Sequence, residues 1–541
     1  MALAEQLVEQ PDFVFGPLSS EAERLEFVRA ARRGVTHTRT PRDTKPGEPV
    51  TIELTVGAAR DEPVVTVDGE RVALERGDAE WDTLIWGYVS RFRTTVAGRP
   101  AGDVVRYAVD GEEFAYCVDD YGPPAWSRDA VVYHVFVDRF DPGPGREWGR
   151  EPFLGGTLAG VTRRLDYIRN LGFDALWLSP IFPSPTYHGY DATDLFGIEP
   201  RLGTMDDFRE LLDAAHKRGL RVLLDFVPNH WSTEHPTFVD AVENRDSDYR
   251  DWYLFERWPD RYESFFGAGT MPKVNLLDEG ARGHTLEAAR HWLELGVDGF
   301  RVDHATGPAQ AFWAYFRLAT RAARGDCWTF GEAVETPVRE REFEGLLDGC
   351  LDFTLLEAFR KAFAEGSWDG VRFWRFLEAH SRFFSADFVR PSFLDNHDLN
   401  RFLWMAGNDE RRLRLAALSQ FTLEGPPVVY YGTEAGMTQV RDMRETSDRE
   451  ARLPMAWDAI GGELAAFYRD LIALRRFGGD VWRRGREALV VEPELLVYRV
   501  GGRVTVGLNL AERRQTYEGT KLEPLSGAIL DFDGKEDRWR R

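Results

Sequence analysis

Hydrophobic and polar positions alternate through the first part of the chain. In VTIELTV, Val50, Ile52, Leu54 and Val56 share one face while Thr51, Glu53 and Thr55 share the other, the period-two pattern of a half-buried strand. In VVRYAVDGEEFAYCV two such runs flank Asp110-Gly111, a pair that suits a tight hairpin turn. A helical stretch, EAERLEFVRAARR, comes before them. Residues 1–122 therefore predict an N-terminal β-sandwich domain, with DDYGPPAW (119–126) as the linker that follows. Trp81 and Trp86 fit glycan contacts, dimer contacts or core; core is the expectation, because large aromatics dominate interiors.

From about residue 127 the rhythm changes to strand, helix, strand, helix. VVYHVFV (131–137), DALWLS (174–179), RVLLDFV (221–227) and GFRVD (299–303) are short apolar runs rich in β-branched residues. CWTFGEA (327–333), LDFTLL (351–356), RPSFLDN (390–396) and PPVVYYG (426–432) supply four more. Between them apolar residues recur at helical spacing, as at Leu158, Val161, Leu165, Ile168 and Leu171. Eight strands alternating with helices predict an α/β fold, a (β/α)8 TIM barrel over 127–478 rather than an open sheet. The stretch 231–280 is too long for a plain loop and reads as an aromatic-rich subdomain inserted after strand 3. LLVYRV and RVTVGLNL return to period two, so 480–541 predicts a small C-terminal β domain.

Composition narrows the partners. The chain has 541 residues and a formal net charge of −22, which argues against a nucleic-acid backbone or an anionic membrane as partner. No run of about 18 apolar residues suggests a membrane span. The opening MALAEQLVEQPDF lacks a basic segment followed by an apolar one, so no secretory signal is expected. The three cysteines, Cys117, Cys327 and Cys350, show neither metal spacing nor a disulfide framework. A cytoplasmic location is the resulting expectation.

Chemistry concentrates at the C-terminal ends of the predicted barrel strands, where such barrels carry their sites. Strand 3 ends in DFVPNH (225–230), strand 4 in Arg301 and Asp303, strand 5 in Glu332 and strand 7 in DNHD (395–398); YHGYD (187–191) follows strand 2. In GFRVD, Arg301 and Asp303 are two apart and so share a face of an otherwise apolar strand. A buried structural ion pair would look the same. What favours chemistry is that Asp303, Glu332 and Asp398 fall on one rim with histidines, and without a phosphate loop, a serine elbow or HExxH. Converging carboxylates suit glycoside hydrolysis, one attacking the anomeric carbon and one protonating the leaving oxygen.

DFVPNH, GFRVDHA, the glutamate of FGEA and FLDNHD, in that order, resemble the four sequence regions of the α-amylase family of glycoside hydrolases, family 13. YYGTEAGM (430–437) and ARLPMAWD (451–458) resemble that family's segments at and beyond strand 8. The resemblance implies a retaining double displacement. In it Asp303 matches the nucleophile, Glu332 the general acid/base, and Asp398 the carboxylate that binds sugar hydroxyls and stabilises the transition state. Arg301 matches the partner of the nucleophile, and His230 and His397 the histidines of the cleaved glucosyl unit. Tyr190 matches the stacking aromatic, with His188 close by, and Asp225 a largely structural aspartate. MPKVN (271–275) and FVDRF (136–140) are similar to the neopullulanase, cyclomaltodextrinase and maltogenic amylase group. That implies an α-glucan or oligosaccharide substrate with α-1,4 bonds, in some substrates α-1,6 as well, and a homodimer through the N-terminal domain. Lys273, within MPKVN, either reaches sugar hydroxyls or pairs with an acid.

The chain also departs from that pattern. His304-Ala305-Thr306-Gly307 stands where the group usually has Ala-Asn-Glu, on the acceptor side. DPGPGREWG (141–149) lacks the Asn and Asp residues that suit calcium, leaving Asn229 as the one position resembling a calcium ligand, so no metal or other cofactor is expected. Two alternatives remain at this point: a glucosidase or transglycosylase acting on a disaccharide such as trehalose, sucrose or isomaltose, and a non-catalytic glycan-binding scaffold.

Overall fold

The computed structural model describes residues 21–57 and 60–532; the opening segment read for a signal lies outside them. Two antiparallel four-stranded sheets come first. Strands Val35–Thr40, Val50–Gly57, Gly87–Val96 and Glu75–Asp82 form one sheet in that order, and the other contains Val65–Val67, Val104–Val109 and Glu112–Cys117. Val50, Ile52, Leu54 and Val56 are buried between them with Phe92, Val105 and Tyr107, as the alternation requires. The segment read as a linker is fastened down: Asp119 pairs with Arg317 of the barrel at 2.7 Å.

The barrel follows. Strands Val132–Val135, Ala175–Leu178, Arg221–Phe226, Gly299–Val302, Trp328–Gly331 and Gly349–Cys350 are parallel neighbours in chain order, and Val428–Tyr430 pairs with the first. Two strand expectations need correction. LDFTLL does not form strand 6: the strand is Gly349–Cys350, and Phe353–Phe359 is a helix whose first turn is capped by Asp352, accepting from Leu355 N at 2.9 Å. A short apolar run satisfies either period, and the cap decides. RPSFLDN closes the barrel without a regular ladder. Val389 N donates to Asp348 O at 2.8 Å on one side, and Val428 N donates to Ser392 O at 2.7 Å on the other. Pro391, Pro426 and Pro427 lack amide donors, which breaks the ladder to a single bridge.

Inside the barrel Val132, Ala175, Trp177, Leu223, Trp328 and Phe330 pack together. The same inward-facing register continues upward to His134, Asp225 and Arg301, with Asp225 beside Arg301 across neighbouring strands. The inserted stretch after strand 3 holds helix Pro236–Glu243 and a small hairpin, Phe255–Arg257 with Arg261–Tyr262. After the barrel, strands Arg486–Val491, Leu495–Val500, Val504–Asn509 and Ser526–Phe532 form the last four-stranded sheet. No helix among the described residues is long and apolar enough to cross a membrane.

Trp81 and Trp86 are not core: they are 48% and 77% exposed, beside Tyr88 at 58%. Tyr88 shares the inner face of its strand with Phe92 and Val96, four and eight residues on, and Trp81 is its cross-strand partner. The opposing sheet covers Phe92 and Val96 but not this end of the hairpin, so an inward pattern has no layer to face.

Candidate active site

Arg301 organises the mouth. Its side chain is fully buried, and Nη1 donates to Asp225 Oδ1 at 2.6 Å and to Asp303 Oδ1 at 3.0 Å. Nη2 lies 2.6 Å from Glu332 Oε1, an ionic contact whose angle leaves the N–H unbonded. One guanidinium thus serves three carboxyls contributed by strands 3, 4 and 5.

Asp303 follows directly on strand 4, its amide bonded to Phe226 O at 2.8 Å. One carboxylate oxygen takes Arg301; the other, Oδ2, is buried with no hydrogen-bond partner. Burial pushes its pKa well above the ordinary carboxylate range; Arg301 opposes this, and Glu332, Asp225 and Asp398 reinforce it. The arginine therefore orients Asp303 without fully compensating its desolvation. Four carboxyls around two arginines, Arg301 and Arg452, favour a site that retains a proton.

Glu332 is placed by its amide bond to Val302 O at 2.9 Å, and its Oε2 accepts from His304 N at 3.3 Å. That second bond needs an unusual backbone: His304 has φ +41°, in the region that non-glycine residues rarely adopt. Its ring rests against Phe265 and Phe266, with centroids 5.0 and 5.1 Å away. Gly307 closes the same turn, and a Cβ there would lie 2.1 Å from Asn229 Oδ1 and 2.6 Å from His304 Cδ2. The departure from the usual acceptor-side residues is thus a packed unit.

Asp398 sits opposite. Desolvation would raise its pKa, but His397 and Arg452 draw it well below the ordinary range. Arg452 Nη2 donates to Asp398 Oδ1 at 2.7 Å, Nε to His397 O at 2.8 Å, and Nη1 to Tyr187 OH at 3.1 Å. Reading the chain missed Arg452 and Tyr187. Both lie in stretches already singled out, ARLPMAWD and YHGYD, but neither their type nor their spacing marks them.

Tyr190 stacks parallel to His397 with centroids 5.4 Å apart, and its hydroxyl donates to Asp225 Oδ2 at 2.9 Å. His188 accepts from Tyr190 N at 3.1 Å, and burial lowers its pKa. His230 takes Asn229 Nδ2 on Nδ1 at 3.1 Å, which leaves Nε2 buried and unpartnered. Burial, with His304 and His188 nearby, lowers its pKa to about 3, so it is neutral. His397 Nδ1 is likewise unpartnered. Lys273 is joined to His230 by a backbone bridge, and its ammonium lies 3.6 Å from Glu263. All nine candidate residues of the sequence therefore lie around one mouth, with Lys273 at its edge and turned to an acid.

A cavity of about 590 Å³ lies elsewhere, lined by Trp374, His380, Arg390 and Arg486. Its charges satisfy one another, as in Arg486–Glu424 at 3.0 Å and Arg390–Asp352 at 3.1 Å, whereas the mouth leaves polar atoms open. Asp141, in the loop weighed for calcium, is held by Arg163 and Arg164. Among the described residues no group of three or more His, Cys, Asp and Glu side chains is arranged to hold a metal ion.

A closed (β/α)8 barrel whose C-terminal mouth gathers carboxyls on one buried arginine is an architecture suited to carboxylate-dependent glycoside hydrolysis. The chain belongs to the alpha-amylase family: the pattern described as "Alpha amylase, catalytic domain" matches residues 134–469. It is 41% identical over 368 residues to alpha-amylase 2 of Dictyoglomus thermophilum, 66% of this chain and 65% of the relative. It is 32% identical over 415 residues to neopullulanase 2 of Thermoactinomyces vulgaris, 70% and 67% of the two chains. The curated relatives it matches are thus spanned over only about two thirds of their length. Among solved structures, the cyclic alpha-maltosyl-(1→6)-maltose hydrolase of Arthrobacter globiformis superposes with a TM-score of 0.69 at 31% identity, covering 75% of this chain and 98% of that one.

Proposed function

We propose that the protein hydrolyses α-glucosidic bonds of maltooligosaccharides, cyclodextrins or pullulan-like α-glucans, α-1,4 and in some substrates α-1,6, with retention of configuration. The observation that carries this reading is Arg301 held between Asp303 and Glu332 while Asp303 Oδ2 stays unbonded. Carboxyls bridged by one guanidinium fit the separation of about 5–5.5 Å of a retaining pair better than the roughly 6.5–9.5 Å that admits a water. Glu332, the more open of the two at 15% side-chain exposure, protonates the glycosidic oxygen while Asp303 Oδ2 attacks the anomeric carbon. Bond cleavage leaves a glucosyl ester on Asp303; Glu332, now a carboxylate, takes a proton from the incoming water. Asp398, kept ionised by His397 and Arg452, accepts hydrogen bonds from sugar hydroxyls. His230 Nε2, left without a partner, is free to bond a sugar hydroxyl, and Tyr190 offers its ring. The substrate class rests on the names of the relatives, a neopullulanase and a hydrolase of a cyclic glucan among them.

The test is a panel of maltotriose, cyclodextrin, pullulan, isomaltose, sucrose and trehalose, with product anomers followed by NMR from the first turnovers. Newly formed α anomers from the first three, abolished in Asp303→Asn and Glu332→Gln, are expected. Initial β anomers would overturn the double displacement, and turnover confined to sucrose or trehalose would overturn the substrate class. Intracellular residence and homodimerisation are the accompanying expectations, read out by fractionation and by sedimentation of the full chain.

A further inference from the structure

Where the N-terminal region lies against the barrel there is a second cavity, of about 340 Å³, walled by residues 39–43 on one side and by 341–348 on the other. Four arginines line it, Arg39, Arg42, Arg317 and Arg341, with four acids, Asp43, Glu344, Asp348 and Asp387. The count is even but the pairing is not. Arg317 is taken by Asp119, which is not part of the lining. Three cations from outside the lining hold three of its acids: Lys45 holds Asp43 at 3.0 Å, Arg321 holds Asp348, and Arg128 holds Asp387. Glu344 is left to the remaining guanidiniums. Arg341 Nε lies 3.4 Å from it, buried and without a hydrogen bond, and Arg42 Nε lies 3.9 Å away. Arg39, only 5% exposed, turns Nη1 to Pro41 O at 2.9 Å and to Thr44 Oγ1 at 3.2 Å, and pairs with no carboxylate among the described residues. The neighbouring Glu342 pairs with Arg339 at 3.1 Å instead. The surplus is felt around it. Burial and then Arg341 lower the pKa of Arg42, while burial, Arg39 and Arg42 push that of His37 down to about 4. On a chain of net charge −22 this is a local reversal of sign.

We infer that this cavity is a binding site for the phosphate group of a small molecule, which bridges Arg39 and Arg42 of the N-terminal region to Arg341 of the barrel. Each guanidinium presents a planar fork that matches a pair of phosphate oxygens. A phosphate has oxygens and charge enough for several such forks, whereas a carboxylate has two oxygens, and the one carboxylate present, Glu344, already leaves Arg341 Nε unbonded. The volume reaches the range of about 300 Å³ and upward in which small-molecule sites begin, so there is room for more than a bare ion. The bound phosphate supplies the anion that the protein itself withholds, and it fastens the N-terminal region to the barrel.

The experiment titrates the full chain calorimetrically with inorganic phosphate and with glucose 6-phosphate, glucose serving as the uncharged control, in chloride at constant ionic strength. Binding of phosphate is expected, and Arg42→Gln and Arg341→Gln should each weaken the apparent Kd about tenfold or more, the effect of losing a charge-assisted hydrogen bond. Tighter binding of glucose 6-phosphate assigns the site to a phosphomonoester, and tighter binding of inorganic phosphate to the free ion; either bears the inference out. Urea denaturation separates this role from a structural one. In phosphate-free chloride both variants should unfold at the parent's midpoint or above it, because each removes a charge that repels its neighbours. Added phosphate should raise the midpoint of the parent and leave those of the variants where they were. No binding of either phosphate overturns the inference, as does binding that both substitutions leave undiminished. A lower midpoint for both variants in phosphate-free chloride overturns it in favour of arginines that only hold the two regions together.

Discussion

Two buried arginine clusters stand in this barrel, and they are built differently. Where the N-terminal region meets the barrel, Arg317 grips Asp119 with two bonds, 2.7 and 3.0 Å, and donates to Tyr121 O at 2.6 Å. Arg321 pairs with Asp348, whose other oxygen takes Thr329 N at 2.9 Å. Two buried cations face two buried acids, with the more exposed Asp43 3.9 Å from Arg317, both oxygens of each buried acid are engaged, and Asp119 is pulled below the ordinary range by Arg317 despite its burial. At the mouth one Arg301 faces three acids, an oxygen of Asp303 has no partner, and burial pushes Asp303 upward. The first arrangement is complete without a ligand. The second is completed only by something that enters it. An Arg–Asp pair is thus structural or chemical according to what is left unsatisfied, not according to its being buried.

Substitutions that exchange the two behaviours test this contrast. The largest effect is expected from Asp303→Asn: turnover on maltotriose falls by on the order of 10^4-fold or more, without a lower urea midpoint. The sign of its pH dependence follows from the raised pKa. The wild-type folded state holds the proton better than the unfolded chain, so its stability falls as pH rises above the unfolded value of about 3.9. The asparagine variant should therefore be the more stable at neutral pH, with the gain vanishing in acid; urea titrations at several pH values check it. A variant destabilised at neutral pH would place Asp303 with the structural pairs.

Asp119→Ala is expected to do the reverse. It removes the carboxylate that takes two bonds from buried Arg317 and costs roughly 3 kcal/mol in urea denaturation, with kcat/KM of the folded fraction unchanged. The Asp119 contribution, from a lowered pKa, is present above the unfolded value and lost as pH falls through the folded one. Arg452→Met bears on both behaviours, because Arg452 is buried yet holds Asp398 in the mouth. Here kcat/KM should fall about 10^2-fold through misplacement of Asp398, and the acid limb of the pH–rate profile should move up. Smaller again, counted per histidine and per pH unit, is the acid lability from histidines. His230 and His235, both lowered by burial to about 3, protonate in the unfolded chain near 6.5. Stability should drop as pH falls below 6.5, by about 1.4 kcal/mol per pH unit for each. The smallest expected effect is Gly307→Ala, roughly 1–3 kcal/mol of overpacking against Asn229 and His304, read as a lower denaturation midpoint with altered acceptor use.

Much of this was legible along the chain. Period-two alternation marked the N-terminal strands because one face of each is buried and one is wet. The barrel strands were visible as apolar runs because both of their faces are covered. The strand-end residues could be grouped at one rim because a parallel barrel places all C-terminal strand ends on one side. The misses share a cause. LDFTLL satisfies both periods, and only the Asp352 cap, set against its neighbours, makes it a helix. Trp81 and Tyr88 carry an inward pattern, but a pattern does not tell how far the facing sheet extends. Arg452 lies 54 residues beyond Asp398 and meets it only because the chain returns over the mouth.

The sequence by itself determined the alternation, the strand order and which residue types reach the mouth, because these follow from local periodicity and from the direction of a parallel strand. Only the tertiary structure decided the charge balance there. Whether Asp303 is held by a matching cation or strained by its burial depends on how many acids share Arg301 and how little water reaches them. That is a property of distances between segments far apart in the chain.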